Sequence, residues 1–452
     1  MLPQAHDRSG SGRMAEEDIP KGDDRSDFQR DRDIILYTSA FKRLSGITQV
    51  VSPHTGHVFH NRLTHTLQVA QVGRSLAEKL HIHYVDLAAQ LGIDPQAVEA
   101  GCLAHDLGHP PFGHIAEQTL NKLVGDEGFE GNAQSFRIVS ELAFRSLDFS
   151  GLNLTKATLR AVLKYPWVYN KRPIDESTGE RSKKWGAYGS ELSPFSFATG
   201  STGGGPVARA PEAELMDWAD DLTYSVHDVE DFYRAGLIPL NQLRPQGETG
   251  LPEVEREKFF AYVYSRRSKI SELASVEKSE LVSIFDNLLF SYFTIDGAYE
   301  GTRDQRARLR SFTGQLVNRY INGLWLVRRD DGSISVEINP GYKREIAILK
   351  QLTWLYVIEA PSLALQQHSQ RQIIKCLYRV FMQETRQNPS RLLPPYYRER
   401  LQDVLAKGDA KDSGRKRIVA DLVAGMTEDQ AVAVYQRLNG IVVGSPLDNL
   451  LG

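Results

Sequence analysis

Three histidines and an aspartate lie close together in residues 102–114, which read C-L-A-H-D-L-G-H-P-P-F-G-H. His105 and Asp106 are adjacent, and His109 follows one helical turn after His105. The two prolines after His109 are expected to stop the helix, because proline lacks an N–H donor and clashes with the preceding turn. At a helix end, neighbouring His and Asp side chains can both turn toward one ion, whereas inside a helix they point about 100° apart. This stretch therefore predicts a metal site.

Two further predicted helices carry groups that suit the same ion. His65 lies in the first turns of an amphipathic helix, and Asp220 lies on a later one. The predicted apolar positions of the first helix are Leu63, Leu67, Ala70, Ala77 and Leu80, and those of the second are Leu215, Ala219, Leu222, Val226 and Val229. Beside the second stripe, Asp220, Tyr224 and Asp228 recur every four residues and form a polar line.

Asp217 and Asp221 compete with Asp220 as the fourth group, but only Asp220 begins that polar line. Two imidazoles with two carboxylates form an N/O site that suits a divalent ion such as Mn, Fe, Mg, Zn or Ni. Because neither Cys102 nor Cys376 need be a ligand, a thiolate zinc site is not favoured.

Composition indicates a soluble globular protein with no global preference for polyanions. The chain has 452 residues, 41% of them hydrophobic and 25% charged, and its formal net charge is −3. Two cysteines cannot form a disulfide framework, and no apolar run approaches the length of a membrane span. A cytoplasmic location is therefore expected, without a membrane partner and with no indication of nucleic acid.

The pattern predicts an all-α fold with one small β-hairpin. Residues 1–26 are polar and are expected to form a disordered tail. Residues 27–250 are expected to form the catalytic core, with a flexible insertion at 169–211, and residues 251–452 a mostly helical C-terminal lobe. The insertion contains S-T-G-G-G-P, but it lacks G-x-x-x-x-G-K-[ST] and a preceding strand, so a phosphate loop is rejected.

Local signals mark several element ends. Asp94 and Pro95 predict a helix start, and a further helix is expected to start near Gly113. Alternating residues around Asp331–Gly332 predict the hairpin, and Thr427 with Gln430 predicts a capping box for a last helix.

The spacing of His65, His105–Asp106 and Asp220 resembles that of the HD superfamily of metal-dependent phosphohydrolases. More narrowly, the amino-acid sequence resembles the deoxyguanosine triphosphate triphosphohydrolase family over about residues 27–231. The motifs that carry the resemblance are F-K-R-L-S-G-I-T-Q-V, H-N-R-L-T-H-T-L-Q-V-A, A-H-D-L-G-H-P-P-F-G-H-I-A-E, G-F-E-G-N-A-Q-S-F-R, L-K-Y-P-W, K-K-W-G-A-Y-G-S-E and A-D-D-L-T-Y-S-V-H-D-V-E-D. The Gly-rich stretch before Ala210 departs from the family pattern.

The resemblance implies an all-α HD-domain core and hydrolysis of a deoxynucleoside triphosphate to a deoxynucleoside and inorganic triphosphate. It implies that the metal ligands are His65, His105, Asp106 and Asp220. His114 and Glu117, which share a helix face at i, i+3, would transfer the proton, and His109 would lie between them and the α-phosphate. For His114, a helix-capping role is the structural alternative.

The same resemblance supplies candidates for substrate binding. The cations that bind the phosphates would be Arg62, Lys164 and Lys184, and Tyr165 would donate a hydroxyl. Lys184 also fits a solvated loop lysine. Tyr224 would pack against C2′ of the sugar and so select deoxyribose. Gln49 and Asp228 would bond the 3′-hydroxyl.

Three readings of the sequence follow. The first is the dNTP triphosphohydrolase, which the family implies to be a homo-oligomer. The second is another HD-type nucleotidase or phosphodiesterase, and the third is a slow dNTP or single-stranded nucleic-acid sensor. The sequence leaves open the base preference, the physiological metal and whether a second dNTP acts as an activator.

Overall fold

The computed structural model describes residues 10–18, 21–49, 60–175, 179–244, 254–408 and 412–445. Within them the chain forms nineteen α-helices and one two-stranded antiparallel sheet, so the all-α prediction with one hairpin is confirmed. The first ten helices are α1 (Asp27–Tyr37), α2 (Ser39–Arg43), α3 (Arg62–His83), α4 (Val85–Leu91), α5 (Pro95–Ala104), α6 (His114–Val124), α7 (Gly131–Arg137), α8 (Lys156–Val162), α9 (Leu192–Thr199) and α10 (Pro211–Arg234).

The second half of the chain is also helical. Its helices are α11 (Leu240–Leu243), α12 (Val254–Arg266), α13 (Lys278–Tyr292), α14 (Arg303–Ile321), α15 (Pro340–Thr353), α16 (Pro361–Glu384), α17 (Pro395–Lys407), α18 (Ser413–Ala424) and α19 (Glu428–Leu438). Strands β1 (Leu324–Arg328) and β2 (Ile334–Ile338) form the hairpin, with Leu324 opposite Ile338. None of the helices among the described residues has the length and apolar character needed to cross a bilayer.

The helix starts follow from local capping chemistry. The side chain of Asp94 accepts a hydrogen bond from the backbone N–H of Gln96, and Pro95 occupies the first helical position of α5. Thr427 and Gln430 close the start of α19 with the predicted capping box. These predictions and the start of α6 after Gly113 are confirmed.

The central helices pack unusually closely. A Cβ on Gly73 of α3 would lie 2.5 Å from Cys102 Sγ of α5 and 3.6 Å from Cβ of Ala219 on α10. On the other side of α5, a Cβ on Gly101 would lie 2.5 Å from Cβ of Ala161 on α8. Since these contacts leave no room for a larger side chain, the helices that carry His65, His105 and Asp220 are held close together.

The predicted apolar positions of α10 are all buried, whereas on α3 Leu63 is half-buried and Leu67 is exposed. All five positions predicted for α10 are 0% exposed. On α3, Ala70, Ala77 and Leu80 are buried, but Leu67 is 45% exposed. The stripe on α3 is therefore narrower than expected.

The hydrophobic clusters do not follow the expected division at residue 250. One cluster runs from Ile35 of α1 through the central helices to Val357, and so includes α12–α15 and the hairpin. A second cluster joins α6 to the C-terminal helices α16–α19. The expected boundary itself lies in residues 245–253, outside the described part of the chain.

Part of the segment expected to be disordered packs against the central helices. The Arg13 guanidinium donates to the Asn153 carbonyl at 2.6 Å and pairs with Asp31 at 2.7 Å. The Asn153 side chain in turn bonds both the N–H and the carbonyl of Ala15. These contacts correct the expectation of disorder for residues 10–18, because Asp31 is a buried carboxylate that requires a cation. Residues 1–9 and 19–20 lie outside the description.

Residues 169–211 are also more ordered than the flexible insertion that we expected. Trp185, Tyr188 and Phe195 are each no more than 1% exposed, and residues 192–199 form α9. The Arg417 guanidinium of α18 lies 3.6 Å from the centre of the Tyr188 ring. Burial of these aromatic side chains stabilises the segment despite its glycines. Residues 176–178 lie outside the described part.

Candidate metal centre and acid–base pair

The motif that carries His105 and Asp106 is held against α7 by backbone contacts. Helix α5 ends at Ala104, so it stops before the histidine and not at the prolines as expected. Ser135 donates its hydroxyl to the His105 carbonyl at 2.6 Å and accepts the Gly108 N–H at 2.9 Å. A Cβ on Gly108 would lie 2.2 Å from the Ser135 nitrogen, so this close approach needs glycine.

Four predicted ligands meet at this helix end. Ligand atoms of His65, His105 and Asp106 all lie within 4.8 Å of one another. Asp220 Oδ1 lies 3.1 Å from His65 Nε2 and 3.7 Å from His105 Nε2. His105 Nε2 is also 3.5 Å from Asp106 Oδ1. Two imidazoles and two carboxylates thus share one small volume.

The hydrogen bonds of His105 prepare its other ring nitrogen for a cation. Nδ1 lies 2.6 Å from the Cys102 carbonyl, and because a carbonyl only accepts, Nδ1 must carry the proton. This leaves Nε2 as the lone-pair nitrogen, and Nε2 is buried without a hydrogen-bond partner. A buried imidazole nitrogen of this kind, facing carboxylates, fits a metal ligand whose second nitrogen bonds the backbone.

Cations keep both carboxylates ionised. Burial opposes ionisation of Asp106, but the Arg62 charge lowers its pKa well below the usual value, and Arg62 Nη1 lies 2.7 Å from Asp106 Oδ2. Burial likewise opposes ionisation of Asp220, yet the Lys164 ammonium and the His65 hydrogen bond lower its pKa. The donor set therefore presents negative charge, which suits a divalent cation.

The two competing aspartates of α10 face other groups. Asp217 lies between two cations: its Oδ1 is 2.5 Å from the Lys164 ammonium, and its Oδ2 is 2.5 Å from Arg209 Nη1. Asp221 pairs with Lys350 at 2.6 Å. Of the three neighbouring aspartates, Asp220 is the one that the structure brings to both imidazoles.

His114 and Glu117 form a hydrogen-bonded pair beside this centre. His114 Nδ1 lies 3.1 Å from Glu117 Oε2, and the histidine side chain is 70% exposed while the carboxylate is 10% exposed. The His109 ring lies between the pair and the centre: its Nδ1 is 2.9 Å from Asp106 Oδ1, and its centroid is 5.8 Å from that of His114. An accessible imidazole backed by a buried carboxylate is the arrangement expected of a proton-transfer pair.

Family models match both halves of this architecture. The model described as HD domain matches residues 62–224, and the phosphohydrolase-associated domain matches residues 336–437. Deoxyguanosinetriphosphate triphosphohydrolase-like proteins are similar along almost the whole chain. That of Streptomyces coelicolor is 36% identical over 97% of this chain and 98% of its own length.

The chain belongs to the deoxyguanosinetriphosphate triphosphohydrolase-like family. Further members from Corynebacterium efficiens and Shewanella baltica are 34% and 30% identical, over 92% and 96% of this chain and 92% and 97% of their own lengths. The recognised HD domain starts at Arg62 and ends at Tyr224, so it contains all four proposed ligands. Gln49 and Asp228 lie just outside it.

Lys184 is engaged by carboxylates in this family member. Its ammonium donates to Glu117 Oε1 at 2.7 Å and to Glu130 Oε1 at 2.8 Å. Burial opposes ionisation of Glu117, but the His114 hydrogen bond and the Lys184 charge lower its pKa. Lys184 thus bonds the carboxylate of the His114–Glu117 pair and is held by two carboxylates, unlike a solvated loop lysine. Its contact with the phosphates stays a prediction.

The groups expected to face the sugar lie further along α10 and before α3. Asp228 Oδ2 and Gln49 Oε1 are both buried without a hydrogen-bond partner among the described residues. Burial, followed by the nearby charge of Asp231, raises the pKa of Asp228 well above its usual value. Burial and the charge of Asp228 also raise the pKa of Tyr224. Unpartnered buried oxygens of this kind fit a ligand that brings its own donor.

A cavity of about 570 Å³ lies between α10, β2 and α15, and Asp217 and Asp221 of α10 line it. Its lining includes the cations Arg209, Lys343 and Lys350. Asp217 connects this cavity to the candidate metal centre. One of its oxygens binds Arg209 of the cavity, and the other binds Lys164, which also contacts Asp220.

Several residues that position the site were not singled out from the sequence. His60 bonds Asp231 through both its backbone N–H, at 2.9 Å, and its ring Nδ1, at 2.6 Å, and this fixes the chain just before α3. Arg43 donates to the carbonyls of Leu107 and His109 at 2.6 and 2.9 Å. Both Arg43 and Asp231 belong to motifs of the family resemblance, which was the one available signal.

Proposed function

We propose that this chain is a metal-dependent dNTP triphosphohydrolase, which converts a deoxynucleoside triphosphate and water to a deoxynucleoside and inorganic triphosphate. The observation that carries the proposal is the unpartnered, buried Nε2 of His105 in a cluster with His65 and two ionised aspartates. Family membership supports the same activity, since the relatives are named for deoxyguanosine triphosphate hydrolysis.

In this proposal His65, His105, Asp106 and Asp220 hold the divalent ion. When bound, the ion polarises the α-phosphate and stabilises the negative charge that develops on its oxygens. Mn, Fe, Mg, Zn and Ni all suit two imidazoles and two carboxylates. The Nδ1–H of His105, held by the Cys102 carbonyl, keeps that imidazole turned toward the ion.

The acid–base pair manages the proton of the reaction. The bond between the α-phosphorus and the 5′ oxygen breaks, the oxygen of water joins the phosphorus, and the 5′ oxygen gains a proton as it leaves. The exposed imidazole of His114 delivers that proton, and Glu117 orients the imidazole and stabilises its charged form. His109, next to Asp106, separates the pair from the metal ligands and faces the α-phosphate.

Phosphate binding falls to cations that border the centre. Arg62 and Lys164 contact Asp106 and Asp220, so a phosphate bound there can share their charge. Tyr165 supplies a hydroxyl next to Lys164, and burial raises its pKa so that it stays protonated and can donate. Lys184 bonds Glu117 and Glu130, so we assign it the support of Glu117 in addition to the phosphate contact that the resemblance implies.

We propose that residues of α10, together with Gln49, select deoxyribose. Tyr224 would pack against C2′ and exclude a 2′-hydroxyl. Gln49 and Asp228 would bond the 3′-hydroxyl, and their unpartnered oxygens support that role.

The proposal is tested by product analysis. Purified protein is incubated with Mn or Mg and each of the four dNTPs, singly and in mixtures, and the products are separated by anion-exchange chromatography. We expect deoxynucleoside and inorganic triphosphate in equal amounts. Orthophosphate or a nucleoside monophosphate would instead indicate another HD-type nucleotidase or phosphodiesterase. Salt-sensitive binding of single-stranded DNA with no turnover would indicate a sensor.

The finer properties belong to the same proposal. We propose a homo-oligomer, as the family resemblance implies. We also propose a cytoplasmic location, which is supported by two free cysteines that suit a reducing compartment. Light scattering of the purified protein tests the oligomer. Comparison of turnover in dNTP mixtures with turnover of each dNTP alone tests activation by a second nucleotide.

A further inference from the structure

The start of α19 lies between two segments that carry site residues. Glu428 Oε1 accepts the backbone N–H of Thr48 at 2.9 Å and that of Phe112 at 3.2 Å. Its Oε2 accepts the Thr48 hydroxyl at 2.7 Å. One carboxylate near the C-terminus of the chain therefore joins two segments that are more than 300 positions away in sequence.

Both segments continue directly into proposed site residues. Thr48 precedes Gln49, and Phe112 is followed by Gly113 and His114. Phe112 has φ of 68°, a left-handed conformation that non-glycine residues rarely adopt. Such a conformation persists only where the surroundings hold it, and the bond from Phe112 to Glu428 is one such restraint.

Neighbouring contacts hold the same two segments. Arg43 donates to the Met426 carbonyl at 3.1 Å, as well as to the carbonyls of the His105–His109 motif described above. A Cβ on Gly46 would lie 2.8 Å from Cγ2 of Thr427. Met426, Thr427 and Glu428, which we call the α19 start, therefore contact the chain before Gln49 at three successive positions.

These contacts are not needed to begin the helix. The capping box of Thr427 and Gln430 already bonds the N–H groups of these two residues at the start of α19. The carboxylate contacts of Glu428 lie instead with residues outside its own helix. The Glu428 carboxylate bonds backbone N–H groups of two distant segments. Positioning of those segments explains these bonds better than helix capping does.

We propose that Glu428 is a positioning residue of the active site. Through Phe112 it sets the backbone that presents His114, and through Thr48 it sets the backbone that presents Gln49. The phosphohydrolase-associated region thereby completes the HD-domain site. The catalytic part of this inference rests on the proposed function, but the positioning contacts do not.

The experiment compares E428A and E428Q in the full-length protein, with E399A of α17 as the control because Glu399 is exposed. In E428Q the amide oxygen can still accept both N–H groups, and the Thr48 hydroxyl can accept from the amide nitrogen. The readouts are kcat and KM for each dNTP, the same constants for the matching 2′,3′-dideoxynucleotide, and thermal melting.

We expect kcat of E428A to fall between about tenfold and a hundredfold, as small displacements of reacting groups typically cause. Its preference for dNTP over dideoxynucleotide should shrink, while E428Q and E399A stay within about threefold of wild type. An E428A variant with unchanged kcat and unchanged preference would overturn the proposal. So would an E428Q variant that folds normally yet loses as much activity as E428A.

Hydrogen exchange gives a readout that does not depend on activity. In E428A we expect faster exchange in peptides that contain Thr48 and Phe112, with no change in peptides from the hairpin. Unchanged exchange at both amides would overturn the positioning role even if activity fell. If wild-type protein shows no dNTP hydrolysis but E428A shows the expected exchange, the proposed function fails and the positioning role stands.

Discussion

At the scale of single residues, the candidate site is prepared by hydrogen bonds and charge. The Cys102 carbonyl selects the His105 tautomer, and Arg62 and Lys164 keep Asp106 and Asp220 ionised. Each of these groups is mostly buried, so a change in one leaves its partner without compensation. The effects of substitutions here should therefore exceed those of equivalent surface substitutions.

Replacement of Asp106 tests the metal centre. In D106A the cluster loses one carboxylate and Arg62 loses its partner, so metal content and triphosphate release should both fall by at least about a hundredfold. Metal content is measured by mass spectrometry and product by chromatography. D86A is the control, because Asp86 is an exposed aspartate of α4. Full triphosphate release by D106A would contradict the assigned site.

A charge-balanced pair of variants tests Lys184. Without that ammonium, Glu117 and Glu130 lose their shared cation, so K184M should lower kcat about tenfold or more. Adding E130Q removes one of the two negative charges and should restore part of the loss, while the amide oxygen can still cap α7. If Lys184 mainly bound the substrate's phosphates, K184M/E130Q would be no more active than K184M and KM would rise.

At the scale of elements, close helix packing decides whether the ligands meet. Helices α3, α5 and α10 approach one another through small residues, and α5 contacts α8 through Gly101 and Ala161. Because His105 directly follows α5, a shift of this helix displaces a proposed ligand from its neighbours on the other two helices.

Overpacking at Gly101 tests that coupling. A Cβ there would lie 2.5 Å from Ala161, so G101A should cost about 1–3 kcal/mol of unfolding free energy and lower metal affinity. The control is G314A, since a Cβ on Gly314 of α14 meets nothing within 4 Å. That change should be neutral or stabilise by up to about 1 kcal/mol. Equal effects of the two variants in urea denaturation would argue against the packing explanation.

At the scale of the whole molecule, the C-terminal helices complete the region around the site. Asp421 of α18 accepts hydrogen bonds from Arg137 of α7 and from Gln134, and Arg137 also bonds Glu191 of the segment before α9. The α19 start contacts the segments before Gln49 and His114. A separate C-terminal lobe is therefore a poor description of these helices.

The buried Asp421 should make stability depend on pH. Burial opposes its ionisation, but Arg137 lowers its pKa below the usual value. A lowered folded-state pKa stabilises the protein above the unfolded pKa of about 3.9, and that contribution is lost as the pH falls through the folded value. D421N should therefore cost roughly 1.5–3 kcal/mol at pH 7, because Arg137 loses its charged hydrogen bonds to Asp421 and keeps its ion pair with Glu191.

Denaturant unfolding of wild type and D421N at several pH values measures this difference. The gap between the two proteins should narrow below about pH 4, as Asp421 becomes protonated in the unfolded and then in the folded state. D403N is the control, since Asp403 is also an aspartate of the C-terminal region but is exposed. A difference in unfolding free energy that stays constant with pH would show that the stabilisation does not come from the ionised carboxylate of Asp421.

The sequence by itself determined the helices, their caps and the groups that could hold an ion, because caps and periodicity depend on residues within a few positions of one another. It also singled out Asp220 among the three neighbouring aspartates of α10, but it did not show that Lys184 lies between Glu117 and Glu130, or that Glu428 reaches Thr48 and Phe112. Those outcomes depend on packing between distant segments, and so does the order of residues 10–18 against Asp31. Only the tertiary structure could decide them, since contacts between distant residues leave no periodic signal in the chain.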